Sequence, residues 1–179
     1  MDAMTVRPAH LPDAAALADL AAVTFPLACP PGMPREDVEA FVTTQLSAER
    51  FAAYLEDEGR IVLVDDGGGA RLVGYTMVVL GEPYAADVAA AIRIRPTAEL
   101  SKCYVAPGQQ GRGTARALLD RTIGAAAARG AAGMWLGTNA ANARAQRFYE
   151  KAGFEWVGTR RFQVGERLED DVVMERRLA

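Results

Sequence analysis

One stretch constrains this chain more than any other. A β-type run, Glu99-Leu-Ser-Lys-Cys-Tyr-Val105, passes through Ala-Pro-Gly-Gln-Gln110 and Gly111-Arg-Gly113 straight into the clearest helical pattern of the sequence, Thr114 to Arg129. Ala115, Leu118, Leu119, Thr122, Ile123 and Ala126 share one face of that helix, and Gly130 ends it. The first N–H groups of such a helix have no intrahelical acceptor and carry the positive end of its dipole. Glycines just before them let the backbone approach a phosphate, so the turn is a candidate pyrophosphate cradle, with Lys102, Arg112 and Arg116 expected to add charge nearby. A P-loop requires Gly-Lys followed by Ser or Thr, and the dinucleotide fingerprint requires a third Gly or Ala where this chain has Arg116, so both fail. An ordinary strand-to-helix turn is the other reading of the glycine pair.

The flanking sequence alternates between both periodicities. Met4 to Pro8 reads as extended, and Asp13 precedes a helix carrying Leu17, Leu20, Val23 and Thr24. Pro26, Pro30, Pro31 and Pro34 are expected to break the next segment before a helix with Val38, Phe41, Val42 and Leu46. Ser47 can cap a short helix bearing Phe51, Tyr54 and Leu55 that ends at Gly59. Arg60 to Val64 and Leu72 to Leu80, joined by Asp65-Asp66-Gly67-Gly68-Gly69, predict an antiparallel hairpin. Residues 81–97 read as a loop with a helical turn at 86–92. Gly133 to Thr138 is a strand, Asn142 caps a helix to Ala152 with Gly153 as its left-handed stop, and Phe154 to Phe162 and Asp171 to Arg176 are closing strands. With no internal repeat or linker, the pattern predicts one α+β domain over residues 1–179.

Composition removes several functions. Half the residues are hydrophobic and about a quarter charged, as in an ordinary globular domain. The lone His10 and the widely separated Cys29 and Cys103 cannot supply a clustered zinc site, so no metal is expected, and hydrolase triads start weak. Twenty Lys plus Arg against 23 Asp plus Glu give a charge of −3 and a pI near 5.3, opposite to a nucleic-acid footprint and better suited to a cationic partner. Glu36, Asp37, Glu39, Glu56, Asp57 and Glu58 are acids that could attract one. With no secretory pattern and no uninterrupted apolar run of membrane length, the expected location is cytoplasmic, without membrane contact.

A second constellation supplies context for the glycine turn. In Asn142-Ala-Arg-Ala145-Gln-Arg-Phe148-Tyr149-Glu-Lys-Ala-Gly153-Phe154, the residues Asn142, Ala145 and Tyr149 fall on one helical face, while Phe148 and Ala152 should pack on the sheet. Together the two stretches resemble the GCN5-related N-acetyltransferase (GNAT) superfamily, in which Q/R-x-x-G-x-G/A follows the fourth strand and N-x-x-A-x-x-F/L-Y-x-K-x-G-F the fifth. Here the first is Gln110-Gly-Arg-Gly113-Thr-Ala115, and the second matches at Asn142, Ala145, Phe148, Tyr149, Lys151, Gly153 and Phe154.

The resemblance implies a mixed, mostly antiparallel sheet of about seven strands, helices on both faces, and a splay between strands four and five that holds acetyl-CoA. By carry-over, main-chain groups of Cys103, Tyr104 and Val105 bond the pantetheine. Gln110 and the amides of Gly111, Arg112, Gly113, Thr114, Ala115 and Arg116 meet the diphosphate, and Asn142 lies beside the pantetheine arm. The implied reaction is direct attack of a neutral primary amine on the thioester in a ternary complex, with Tyr149 as acid for the departing thiolate.

Glu99, early on the fourth strand, is the candidate base, with a structural carboxylate as the other reading. Alternation is expected to put it on the face of Ser101 and Cys103. Cys103 itself reads as a buried strand residue rather than an acyl carrier. The C-terminal run Phe162 to Met174 is most similar to that of bacterial polyamine and small-amine acetyltransferases, which implies a small-molecule amine or polyamine acceptor and a possible homodimer. Ribosomal-protein N-terminal acetyltransferases carry a glutamate five residues before the Asn, where this chain has Gly137. A protein N-terminal or lysine acetyltransferase and a non-catalytic acyl-CoA sensor are the alternatives.

Overall fold

The computed structural model describes residues 6–178. In chain order the elements are β1 (Val6–Pro8), a 3-10 turn (Leu11–Asp13), α1 (Ala14–Ala28), α2 (Arg35–Gln45), α3 (Ala48–Glu56), β2 (Arg60–Asp65), β3 (Gly74–Leu80), α4 (Ala86–Ala91), β4 (Thr97–Val105), α5 (Thr114–Ala128), β5 (Gly133–Asn139), α6 (Ala143–Lys151), β6 (Glu155–Val164) and β7 (Arg167–Arg177). The expected extended stretch begins at Met4, and its first two residues lie outside the described range.

Among the described residues, seven strands form one sheet in the order β1-β2-β3-β4-β5-β7-β6, antiparallel at every pairing except β4 with β5. Alternation along the strands sends side chains to two layers. Val62, Val64, Tyr75 and Met77 meet α1, α2 and α3 through Leu17, Leu20, Phe25, Val38 and Phe51. Val78, Leu100, Met134, Leu136 and Met174 meet α5 and α6 through Leu119, Ile123, Ala126 and Ala152 on the opposite face. A smaller cluster packs Val88 and Ile92, at α4, on Trp135 and Val173.

Caps fall where the sequence puts them. Ser47 Oγ accepts from the Arg50 N–H at α3, and Asn142 Oδ1 accepts from the Ala145 N–H at α6. Asp13 differs: instead of capping α1, its carboxylate takes the His10 N–H and a two-pronged contact from Arg7 at 2.9 and 3.0 Å. Pro26 does not stop α1, which runs to Ala28. A proline this close to the end removes one hydrogen bond, while Phe25 beside it is buried and stacked on Phe41 at 4.5 Å. The final strand starts at Arg167, four residues earlier than Asp171, because β6 and β7 pair through to Val164 and Arg167 as a hairpin. The stretch Leu11–Ala28 is apolar and long enough by composition to cross a membrane, yet it contains Asp13 and Asp19, and Leu17, Leu20, Ala21 and Phe25 are core residues.

Candidate active site

The parallel pair β4 and β5 is joined at only three positions, Thr97 with Gly133, Ala98 with Met134 and Glu99 with Trp135. Beyond Glu99 the strands part, although β4 stays paired to β3 as far as Val105 and β5 to β7 as far as Asn139. Polar backbone groups of the inner edges of Leu100–Val105 and Leu136–Asn139 therefore face a gap rather than a ladder. A cavity of about 280 Å³ opens there, lined by Ser101 to Tyr104 on one side, Gly137 to Asn139 on the other, and Asn142, Ala145 and Tyr149 of the α6 region across its mouth.

β4 carries a bulge. Met77 pairs with Lys102 but Val78 pairs with Leu100, so Ser101 is an extra residue. This overturns the simple alternation expected for Glu99, Ser101 and Cys103. Leu100 and Cys103 both reach the core under α5 and α6, whereas Glu99 turns with Lys102 to the other face. Lys102 is therefore not beside the glycine turn. Its ammonium lies 6.0 Å from the Tyr54 ring, whose face Arg60 also approaches at 4.7 Å.

The turn before α5 has the geometry of an anion cradle. Gly108, Gly111 and Gly113 all take positive φ, and Gly113 is the left-handed residue from which α5 starts. The helical ladder begins with the Ala117 N–H on the Gly113 carbonyl, and among the described residues no protein group accepts from the amides of Thr114, Ala115 or Arg116. A Cβ built on Gly111 or Gly113 would meet nothing within 4 Å, so the space before these amides is open. Gln110 braces the turn by accepting the Gly108 N–H at 2.9 Å. Arg112 is exposed, and Arg116 reaches Asp120 at 3.0 Å and the Lys151 carbonyl at 3.3 Å, tying α5 to α6. Thr114 is buried, leaving its backbone as the group near the turn. Of the three β4 residues, Cys103 and Tyr104 line the cavity and Val105 ends the strand just beyond it. Asn142 spends its carbonyl on the cap, so its NH2 is the part available to a ligand.

Side-chain chemistry converges on the same gap. Tyr149 and Cys103 line the gap together, and burial pushes the phenol well above its usual range. Burial also raises the Cys103 thiol to about 11, which keeps it protonated and makes it a poor acyl carrier. Glu99 lines the cavity; burial raises its carboxyl, while Arg160, Lys102 and Arg60 pull it back down. Desolvation lowers Lys102 to about 8 against the attraction of Glu99.

Sequence reasoning missed Arg160, Glu169 and Asp171, which complete the charged end of the cavity. Arg160 Nε donates to Asp171 Oδ2 at 3.1 Å, and its Nη1 lies 3.7 Å from Glu99 Oε1. The six acids singled out earlier, Glu36, Asp37, Glu39, Glu56, Asp57 and Glu58, do not line it. Apolar side chains, Phe25, Met33, Phe41 and Leu46, also line it.

The model of the acetyltransferase (GNAT) family matches residues 16–154. The chain belongs to that family. An uncharacterised N-acetyltransferase of Mycobacterium tuberculosis is 46% identical over 166 residues, covering 93% of this chain and 98% of that protein. The PaiA N-acetyltransferase of Thermoplasma acidophilum, solved in complex with coenzyme A, superposes with a TM-score of 0.74 at 18% identity, over 98% of this chain and 99% of that one. The spermidine/spermine N-acetyltransferase SpeG of Vibrio cholerae superposes at 0.66 with 20% identity, over 98% and 95%. At such identities the two structures show the fold alone. This GNAT chain is an acyltransferase enzyme, an N-acetyltransferase that uses acetyl-CoA.

Proposed function

We propose that the protein transfers the acetyl group of acetyl-CoA to the primary amine of a small molecule by direct attack in a ternary complex. The observation that carries this reading is a single cavity that runs from the unpaired edge of β4 past Tyr149 to Glu99. A donor bound in the gap and an amine entering from the Phe25 and Phe41 side would meet between two groups suited to opposite proton transfers.

In this reading the β4 edge at Cys103 to Val105 bonds the pantetheine and polarises the thioester carbonyl. The backbone of Gly111 to Arg116, braced by Gln110, takes the diphosphate at the start of α5, and Asn142 contacts the pantetheine arm. Glu99 accepts the proton of the incoming ammonium, directly or through water. The neutral nitrogen attacks the carbonyl carbon, the C–N bond forms as the C–S bond breaks, and the departing sulfur takes its proton from Tyr149. Burial raises the phenol, so it holds its proton at neutral pH and gives it up only as negative charge develops on the departing sulfur. The high thiol of Cys103 favours direct attack over an acyl-cysteine.

A panel of small monoamines, polyamines, amino acids and peptides, assayed for CoA release, tests the reading, with intact-mass analysis of enzyme incubated with acetyl-CoA alone. The expected result is amine-dependent CoA release and no acetyl-enzyme. Binding of acetyl-CoA without turnover on any amine would instead favour a sensor.

A further inference from the structure

Gly137 sits in β5 opposite Val173, at the edge of the gap, and the space above it is not empty. A Cβ built there would lie 2.5 Å from both Nε and Nη2 of Arg160. Arg160 comes from β6, pairs in register with Asp171 of β7, and extends across β7 onto β5. Its guanidinium lies 5.3 Å from the Trp135 ring and pairs with Asp171 on one side and Glu99 of β4 on the other. One side chain, 16% exposed, thus links the four strands that surround the charged end of the cavity. Only glycine at 137 leaves room for it.

The charges facing the cavity are Glu99, Glu169 and Asp171 against Lys102 and Arg160, a net of one negative charge when all are ionised. Phe25, Met33, Phe41 and Leu46 give the same cavity an apolar lining. A polycation needs several unopposed carboxylates, whereas here two of the three are held by one guanidinium and the third, Glu169, lies 3.6 Å from Arg167.

We propose that Arg160, seated over Gly137, is the specificity-determining residue of the acceptor pocket: by holding Glu99 and Asp171 it fits the pocket to one ammonium group on an apolar body and disfavours polycations. The proposal deepens the N-acetyltransferase reading and rests on it for the word acceptor. It also makes Arg160 a positioning residue for Glu99. The charged groups around that carboxylate are Lys102 on its own strand, Arg60 on β2, Arg160 on β6 and, across the cavity, Glu169 and Asp171 on β7. Removing Arg160 takes away a favourable charge, so Glu99 should ionise at higher pH.

Phenethylamine and spermidine are the probes, measured by kcat/KM and, without need for turnover, by calorimetric affinity in the presence of CoA. The wild-type protein should prefer phenethylamine. Arg160→Ala should raise the spermidine-to-phenethylamine ratio by about tenfold or more in either measurement and move the acid limb of kcat/KM to higher pH, with Arg160→Lys in between. Gly137→Ala, which displaces the guanidinium without deleting its charge, should shift the ratio in the same direction and covers the case in which Arg160→Ala does not fold. A smaller change of ratio in the folded variants overturns the proposal, whatever the turnover. Absence of turnover on every amine, with the binding ratio shifted as stated, would overturn the catalytic reading and leave the pocket assignment standing.

Discussion

Tyr149 on α6 and Cys103 on β4 line the same cavity, at the gap where β4 and β5 separate. Helix α6 is set by the Asn142 cap at one end and Gly153, at φ 91°, at the other, and Phe148 and Ala152 anchor it on the sheet. The phenol is thus held by packing on both sides before any ligand arrives. Tyr149→Phe keeps the packing and removes the proton. We expect kcat to fall by roughly 100-fold or more while acetyl-CoA affinity changes little. Steady-state kinetics alongside calorimetry check this, and unchanged turnover would reject Tyr149 as the acid.

Glu99 carries a cost as well as a role. Because burial raises its folded-state pKa, the protein gains from protonating it: the stability it offers is present below the unfolded carboxyl value and is lost as pH rises through the folded value. At neutral pH the ionised carboxylate is therefore a penalty. Glu99→Gln should lose acetyl transfer at neutral pH and recover activity only as pH is raised and free amine accumulates, so that the acid limb of the kcat/KM profile moves to higher pH. Its melting temperature at pH 7 should match or exceed that of the wild type. An unaltered pH profile would count against Glu99 as the base.

The glycine turn tests the phosphate cradle. Gly113 takes φ 81°, and open space surrounds its missing side chain. Gly113→Ala should thus cost about 1–2 kcal/mol from the left-handed backbone alone, with no clash in the core. Acetyl-CoA affinity should fall by about tenfold as the start of α5 shifts and its amides lose their aim. Thermal melts and calorimetry read the two effects separately; an unchanged affinity would move the diphosphate elsewhere.

Lys102 should give folding a pH dependence that an exposed lysine does not. Its folded-state pKa is lowered to about 8, so between that value and the free-lysine value the unfolded chain binds more protons and stability rises with pH. The penalty is full below about pH 8. Lys102→Met should raise the melting temperature at pH 7, and the gain should fade toward about pH 10.4, where lysine is neutral in both states. Melting curves at the two ends of that range decide it; an equal gain at both would show that the ammonium is not desolvated.

What the sequence reveals here is what is local. The Ser47 and Asn142 caps, the turns at Gly67-Gly68 and Gly111 to Gly113, and the shared face of Asn142, Ala145 and Tyr149 depend on residues close together in the chain, and each is found where the pattern places it. The Ser101 bulge escapes such reading because it exists only as a slip against β3, between Met77 and Val78. That slip turns Glu99 and Lys102 away from Cys103. Arg160 lies far from Glu99 in sequence and reaches it, while also holding Asp171, only because β7 inserts between β5 and β6. The one available signal was Gly137 itself: a glycine inside an apolar strand marks a close approach, here that of a guanidinium.

The central claim is that the gap between β4 and β5 aligns a thioester between Tyr149 and Glu99, and a crystal structure of the protein with coenzyme A measures it most directly. The account predicts the diphosphate on the amides of residues 111–116 and the sulfur within about 3.5 Å of the Tyr149 hydroxyl. Coenzyme A bound outside the gap, or with its sulfur remote from Tyr149, would contradict it.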